Sequence, residues 1–169
     1  MVADNQMQSI FSQIKPQAEY KMRPMRSSDL DLVVQNETTS YGNPWTKRIF
    51  IDCLRAGYQC WVLAGRDQII GHGVMSVAIG ECHLLTLCVR PDFQRLGYGR
   101  RILQFLLERA ERQEAKVCYL EVRPSNDPAK KLYQAMGFVV IGQRKNYYPV
   151  SQVSGEREDA LIMSLTLVP

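Results

Sequence analysis

The part of the chain richest in possible chemistry runs Arg90-Pro91-Asp92-Phe93-Gln94-Arg95-Leu96-Gly97-Tyr98-Gly99-Arg100-Arg101. A β-rich segment ends at Val89, a short turn follows, and a helical pattern opens on two glycines. Glycines there let a ligand approach the backbone, and the first N–H groups of a helix have no partner inside it. Such an end attracts phosphate through those N–H groups and the helix dipole. Arg95, Arg100 and Arg101 add positive charge around the same point. The same residues also fit a helix start whose glycines only turn the chain. Two other phosphate loops do not fit. A Walker A loop needs Gly-Lys-Ser/Thr, and a dinucleotide fingerprint needs a third glycine where Ile102 stands.

A second candidate is Glu121, inside the apolar run Val117-Cys118-Tyr119-Leu120-Glu121-Val122. Strand alternation puts Val117, Tyr119, Glu121 and Arg123 on one face. A carboxyl buried there would have its pKa raised toward neutrality, where a general base works best. A partly exposed Glu121 paired with Arg123 fits the pattern slightly better. Tyr133 lies on the apolar stripe of a helix, where most tyrosines are core residues with a satisfied hydroxyl. Asn126 stands where a helix N-cap is expected. A cysteine–histidine nucleophile is disfavoured, because Cys82 and His83 are neighbours on one strand and point to opposite faces. His72 and His83 are the only histidines, and no cluster has zinc-ligand spacing, so no metal site is expected.

These residues need an α/β frame, and the chain supplies one. Its 169 residues suit a single domain, 46% hydrophobic and 22% charged. Strands are expected at Tyr20–Met25, Gln59–Ala64, Gln68–Val77, Glu81–Val89, Val117–Val122, Val139–Gln143 and Ala160–Leu167. The spacers Gly65-Arg66-Asp67 and Ile79-Gly80 suggest hairpins. A helix with the stripe Leu30, Val33, Val34 is capped by Ser27 or Ser28, and a second runs from about Thr46 to Ala56. A third covers Gly97 to about Gln113 and buries Ile102, Leu103, Leu106, Leu107 and Ala110. A fourth starts at Asn126 or Asp127, has Pro128 in its first turn, buries Ala129, Leu132, Tyr133 and Met136, and ends at Gly137. The fold class is therefore α/β or α+β, a mixed sheet with helices on its faces. Residues 1–19 form a polar N-terminal extension in which Met7, Ile10, Phe11 and Ile14 permit a short amphipathic helix or a loose tail. A polar loop is expected from Ser151 to Asp159.

Net charge is +4 with a pI near 8.8, too mild to imply a nucleic-acid partner. Five cysteines, an odd number with no CxxC, and no secretory signal suggest free thiols in a reducing cytoplasm. No apolar run is long enough to cross a bilayer.

Taken together, these residues resemble the GNAT (GCN5-related N-acetyltransferase) superfamily. Gln94-Arg95-Leu96-Gly97-Tyr98-Gly99 fits its acetyl-CoA signature, Gln/Arg-x-x-Gly-x-Gly/Ala, in full. The upstream strand Leu84–Val89 and the downstream Ser125–Phe138 fit the flanking pattern. The resemblance covers roughly Tyr20 onward. It implies a mostly antiparallel sheet of about seven strands with about four helices. Within the superfamily the chain is most similar to bacterial ribosomal-protein-alanine N-acetyltransferases. The segments concerned are Pro44-Trp45-Thr46, Leu120–Asn126, Asn146–Pro149 and Glu158–Met163. The resemblance implies acetyl-CoA as co-substrate, no metal, and as partner a protein N-terminus, that of a small-subunit ribosomal protein. The backbone of Leu87, Cys88 and Val89 would pair with the pantetheine arm. Arg95, Leu96, Gly97, Tyr98, Gly99 and Arg100 would hold the pyrophosphate, and Asn126 would bond the arm as well as cap. Glu121 would take the amine proton and Tyr133 would protonate the leaving sulfur. Other acceptors remain open, namely lysine side chains or small amines, as does an acyl-CoA-sensing domain without chemistry.

Overall fold

The structure, a computed structural model, describes residues 20–150 and 155–167. The expected N-terminal helix and Ser151–Ser154 lie outside the described residues. The elements are β1 (Lys21–Pro24), α1 (Leu30–Ser40), α2 (Lys47–Arg55), β2 (Gln59–Ala64), β3 (Ile69–Ala78), β4 (Glu81–Val89), α3 (Tyr98–Glu111), β5 (Val117–Val122), α4 (Asp127–Ala135), β6 (Val139–Pro149) and β7 (Arg157–Thr166). The strands form one sheet in the order β1-β2-β3-β4-β5-β7-β6. Every pairing is antiparallel except β4 with β5. That exception follows from connectivity: β4 and β5 are joined through α3, and parallel neighbours need such a crossover.

One side of the sheet packs Leu30, Val33, Phe50 and Cys53 of α1 and α2 against Val62 and Val74. The other packs α3 and α4 against Leu63, Ile70, Leu84, Leu120 and Met163. The stripe expected for α3 is the one observed, with Ile102, Leu103, Leu106 and Ala110 fully buried and Leu107 nearly so. Full burial of a Leu or Ile contributes about 1.5–3 kcal/mol, so this face docks the helix whose N-terminus forms the glycine turn.

Local differences from the sequence reading have local causes. Neither Ser27 nor Ser28 caps α1. A 3₁₀ turn, Ser27–Asp29, precedes it, and the Asp29 carboxylate accepts from the Arg26 N–H at 2.8 Å and from Arg23 at 2.7 and 2.9 Å. The last two strands are longer than expected, because the β6–β7 ladder continues to Pro149 and Arg157 through two irregularities. The loop between them is correspondingly shorter than Ser151–Asp159.

The feature that matters for function is a parting of strands. β4 and β5 run in register only from Glu81 opposite Val117 to Leu84 opposite Leu120. There the β3–β4 register shifts, leaving Leu85 as an extra residue between Leu84 and Thr86. Such a bulge bends and twists its strand. From that point β4 leaves β5, and a cleft opens between them.

Candidate active site

The cleft has a volume of about 580 Å³ and is lined on one side by Leu84–Leu87 and on the other by Leu120–Arg123. Asn126, Ala129 and Tyr133 of the α4 region complete its wall, and Glu37, Tyr41, Trp45, Tyr148 and Glu158 surround one end. Its position in the middle of the sheet comes from the strand parting alone.

The β4 edge presents backbone to this space. Arg90 N–H bonds to Ile70 O at 2.9 Å. This sets the phase of the antiparallel ladder, in which bonded and non-bonded pairs alternate. Thr86 and Cys88 therefore turn their N–H and C=O toward β3, and Leu87 and Val89 turn theirs away from it, Leu87 in the wall of the cleft. The two carbonyls turned away from β3 already have donors. The Tyr41 hydroxyl reaches Leu87 O, and the Gln94 side chain reaches Val89 O at 2.9 Å. Of the three strand residues expected to hold a pantetheine arm, Leu87 and Val89 keep their N–H groups out of the β3 ladder. Cys88 does not: its main chain belongs to the β3 ladder, and its buried thiol donates to Asn36 O at 3.6 Å. Burial pushes that thiol up to about 12, so it is no nucleophile.

The glycine turn forms as expected. Arg95 and Gly97 both have positive φ, 61° and 84°. Gly97 is the residue before the first turn of α3, and a Cβ placed on it would meet nothing within 4 Å, so the space in front of that turn is open. Gly99 has a different role. A Cβ there would sit 3.3 Å from Leu132, so a small residue lets α3 and α4 approach. Arg101 N–H is the first to find a helical acceptor, Gly97 O at 3.1 Å, which leaves the earlier N–H groups for a ligand. Leu96 is exposed, and the Tyr98 ring packs edge-on against Tyr20. Both residues offer the site their backbone. Arg95 and Arg100 are exposed beside the turn, whereas the Arg101 guanidinium is spent on Tyr20 O at 2.6 Å.

The titratable groups lie at the other end. Glu121 is 27% exposed and pairs with Arg144 at 2.8 Å, rather than with Arg123. Arg123 instead bonds Glu158 at 3.3 Å and Pro149 O at 3.1 Å, and its guanidinium covers the Tyr148 ring at 4.4 Å. Tyr133 is buried. Burial, with Tyr148 and Cys118 nearby, drives its hydroxyl well above the ordinary tyrosine range, so it stays protonated. Tyr148 is pushed up to about 12, again chiefly by burial. Burial alone would raise Glu158, but the Ser125 hydroxyl and N–H together with Arg123 outweigh it and hold the carboxyl below its usual value. Asn126 does cap α4, its side chain accepting from Ala129 N–H at 3.2 Å, and it also faces the cleft.

Sequence spacing missed one buried cluster. Glu37, His72 and Cys88, from α1, β3 and β4, bring one potential ligand atom each within 4.8 Å of one another, the grouping among the described residues best able to hold a metal ion. The present contacts are hydrogen bonds. The signal was there: Glu37 continues the apolar stripe of Leu30 and Val33 by one turn, where a carboxylate is out of place.

The parallel strands β4 and β5 part at the centre of the sheet, Tyr133 lines the cleft between them, and a glycine turn opens α3 just beyond the end of β4. Residues 26–138 match the model of the acetyltransferase (GNAT) family. The chain belongs to that family. It is 34% identical over 143 residues to the [ribosomal protein bS18]-alanine N-acetyltransferase of Salmonella typhimurium, covering 85% of this chain and 95% of that one. It is 30% identical over 148 residues to a putative enzyme of the same name from Bacillus subtilis, covering 86% and 95%. Among solved structures, the ribosomal-protein-S18-alanine N-acetyltransferase of Escherichia coli superposes with a TM-score of 0.81 at 30% identity, covering 89% of this chain and 96% of that one. The protein is thus an acetyltransferase, and its family uses acetyl-CoA.

Proposed function

We propose that this acetyltransferase moves the acetyl group of acetyl-CoA onto the α-amine of a protein that begins with alanine, a small-subunit ribosomal protein. Two facts support the reading. The chain spans 95% of relatives named for that acceptor, and the end of the cleft is side-chain-rich, with the Glu121 carboxylate in its wall. A reaction on ribosomal protein would take place in the cytoplasm, which suits a chain whose five cysteines are free.

The chemistry follows from the groups present. The Leu87 and Val89 N–H groups hold the pantetheine arm as an added strand would, and an N–H on that edge stabilises the oxyanion. The N–H groups from Leu96 to Arg100, with Arg95 and Arg100, hold the pyrophosphate. Asn126 bonds the arm near the start of α4. The attacking amine must be neutral. An α-amine has a pKa of about 7.7–8.0 against about 10.4 for lysine, so a carboxylate deprotonates a protein N-terminus far more readily. Glu121 takes that proton, directly or through water. The amine nitrogen bonds to the thioester carbon, the C–S bond breaks, Tyr133 gives its proton to the sulfur, and the second proton leaving the nitrogen returns to the Tyr133 oxygen. With its hydroxyl held above the ordinary range, Tyr133 keeps that proton until a thiolate forms beside it.

Intact-mass spectrometry tests the reading. Purified protein and acetyl-CoA are incubated with a peptide that starts with free alanine, copied from the ribosomal protein, and with a second whose N-terminus is blocked and whose lysines are free. A gain of about 42 Da on the first alone is expected. A gain on the lysine peptide alone would refute the acceptor and leave the family intact.

A further inference from the structure

Glu37 has no part in the chemistry above, yet it is the most completely buried carboxylate among the described residues, 1% exposed. We propose that Glu37 is a positioning residue for acetyl transfer. One carboxylate holds the acyl-side strand β4 and the acceptor-side loop after α1 at a fixed separation.

Three donors converge on it from three elements. Oε1 accepts from the Thr86 hydroxyl at 2.9 Å and lies 2.9 Å from His72 Nε2, while Oε2 accepts from Trp45 N–H at 3.3 Å. With His72 donating through Nε2, its Nδ1 is left without a hydrogen-bond partner, and the ring packs edge-on against Phe50. Phe50 in turn packs against Trp45 at 5.4 Å between ring centres. The contacts therefore close a ring from Glu37 through His72, Phe50 and Trp45 back to Glu37.

Both ends of this ring face the reaction. Thr86 is the first residue after the bulge at which β4 leaves β5, and it precedes Leu87, whose N–H faces the cleft. Trp45 ends the loop in which the Tyr41 hydroxyl reaches Leu87 O and Asn43 donates to Pro149 O at 2.7 Å across the cleft mouth. A small shift between these walls changes the distance from amine to thioester, and a misplacement of about 1 Å can cost about a hundredfold in rate. Glutamine cannot substitute. Oε1 serves two donors and Oε2 a third, so an amide nitrogen at either position opposes an N–H or O–H.

The proposal rests on the cleft being the transfer site for the alanine acceptor, and the test separates the two. Thr86→Val keeps the side chain's shape and removes the hydroxyl, and Thr86→Ser restores it. Initial rates on the alanine peptide give kcat and KM, calorimetry gives the acetyl-CoA Kd, and thermal unfolding reports the fold. Thr86→Val and Glu37→Gln should each lower kcat about tenfold or more, with Thr86→Ser within about twofold of wild type and the acetyl-CoA Kd within about threefold. The double variant should be no worse than the worse single one, because both break one link. Should Glu37→Gln fail to fold, the Thr86 pair decides alone. Full turnover by folded Thr86→Val, or no rescue by serine, overturns the positioning role. An inert wild type that still binds acetyl-CoA overturns the acceptor reading and this one with it, whereas an active wild type with unaffected variants overturns this one alone.

Discussion

On the proposed cofactor side the residues, Asn126 apart, run from Leu87 to Arg100, and what they chiefly offer is main chain. Two N–H groups on the strand edge turned away from β3 and the N–H groups of a helix start are on offer, placed by ladder phase and by the positive φ of Arg95 and Gly97. On the proposed acceptor side, Asn43, Glu121, Arg123, Tyr148 and Glu158 come from four separate parts of the chain, and what they offer is side chains. The difference has a physical origin. A cofactor identical in every member of a family can be held by backbone, which no substitution removes. An acceptor that differs between members must be read by side chains, and loop ends are where side chains change freely. Substitutions on the two sides should therefore fail differently: on the cofactor side through backbone conformation and acetyl-CoA affinity, on the acceptor side through charge and turnover.

The sharpest break in that comparison is Glu121→Gln. General acid–base catalysis contributes about 10²–10⁴-fold, so kcat at neutral pH should fall by that order while the acetyl-CoA Kd, measured by calorimetry, stays put. An unchanged rate would remove Glu121 from the reaction. Tyr133→Phe should cost somewhat less, and its partner measurement is a pH profile. The hydroxyl is held above its ordinary value of 10.0 by burial. It is then protonated at every pH below that value, so wild-type kcat should show no falling alkaline limb up to about pH 10. A limb near pH 8 or 9 would point to a different acid. On the other side, Gly97→Val forces a β-branched residue to φ 84°. At a cost of about 1–2 kcal/mol, acetyl-CoA should bind about tenfold more weakly, with kcat at saturation nearly unchanged. A variant that lost kcat and kept its Kd would contradict the backbone account of this side.

The same contrast explains what the sequence disclosed. The glycine turn was legible because its parts are contiguous: a strand end, Gln94 to Gly99 and an amphipathic helix occur in one short run, and spacing along the chain equals proximity in space. Asn126 was legible for the same reason, since a cap and its helix are neighbours. Cys88 was assigned to the arm with Leu87 and Val89 because a sequence gives strand membership without ladder phase. The phase appears only through Arg90 N–H bonding to Ile70 O. Glu121 stood out as a charge in an apolar strand, but its partner Arg144 lies across the sheet on β6, beyond the reach of spacing rules that suggested Arg123. Glu37, His72 and Thr86 lie far apart in the sequence and meet only in the fold. Nothing local records that a helix, a hairpin strand and a bulged strand will converge.

The smallest effect expected on the acceptor side concerns Glu158, and it carries the acid dependence of that wall. Its carboxylate accepts from Ser125 N–H at 2.7 Å and from the Ser125 hydroxyl at 3.0 Å, and it pairs with Arg123 at 3.3 Å. These contacts tie β7 to the turn between β5 and α4, just behind the Asn126 cap. They favour the ionised form, and the carboxyl lies below its ordinary value of 4.5. A group with a depressed folded pKa contributes stability that is complete above its unfolded pKa and is lost as pH falls through the folded one. The tie is therefore intact at neutral pH and weakens only in acid. Because the pair is partly exposed, Glu158→Gln should cost little: the acceptor KM rises about twofold to fivefold, and the melting temperature drops by a few degrees at pH 7. The melting difference between variant and wild type should shrink as pH is lowered below about 4, since protonation then removes in the wild type what the substitution removed in the variant. Melting curves of both proteins between pH 7 and pH 3 settle the point. A difference that stays constant across that range would mean that Glu158 acts there by shape, and that this corner of the acceptor wall is not held by charge.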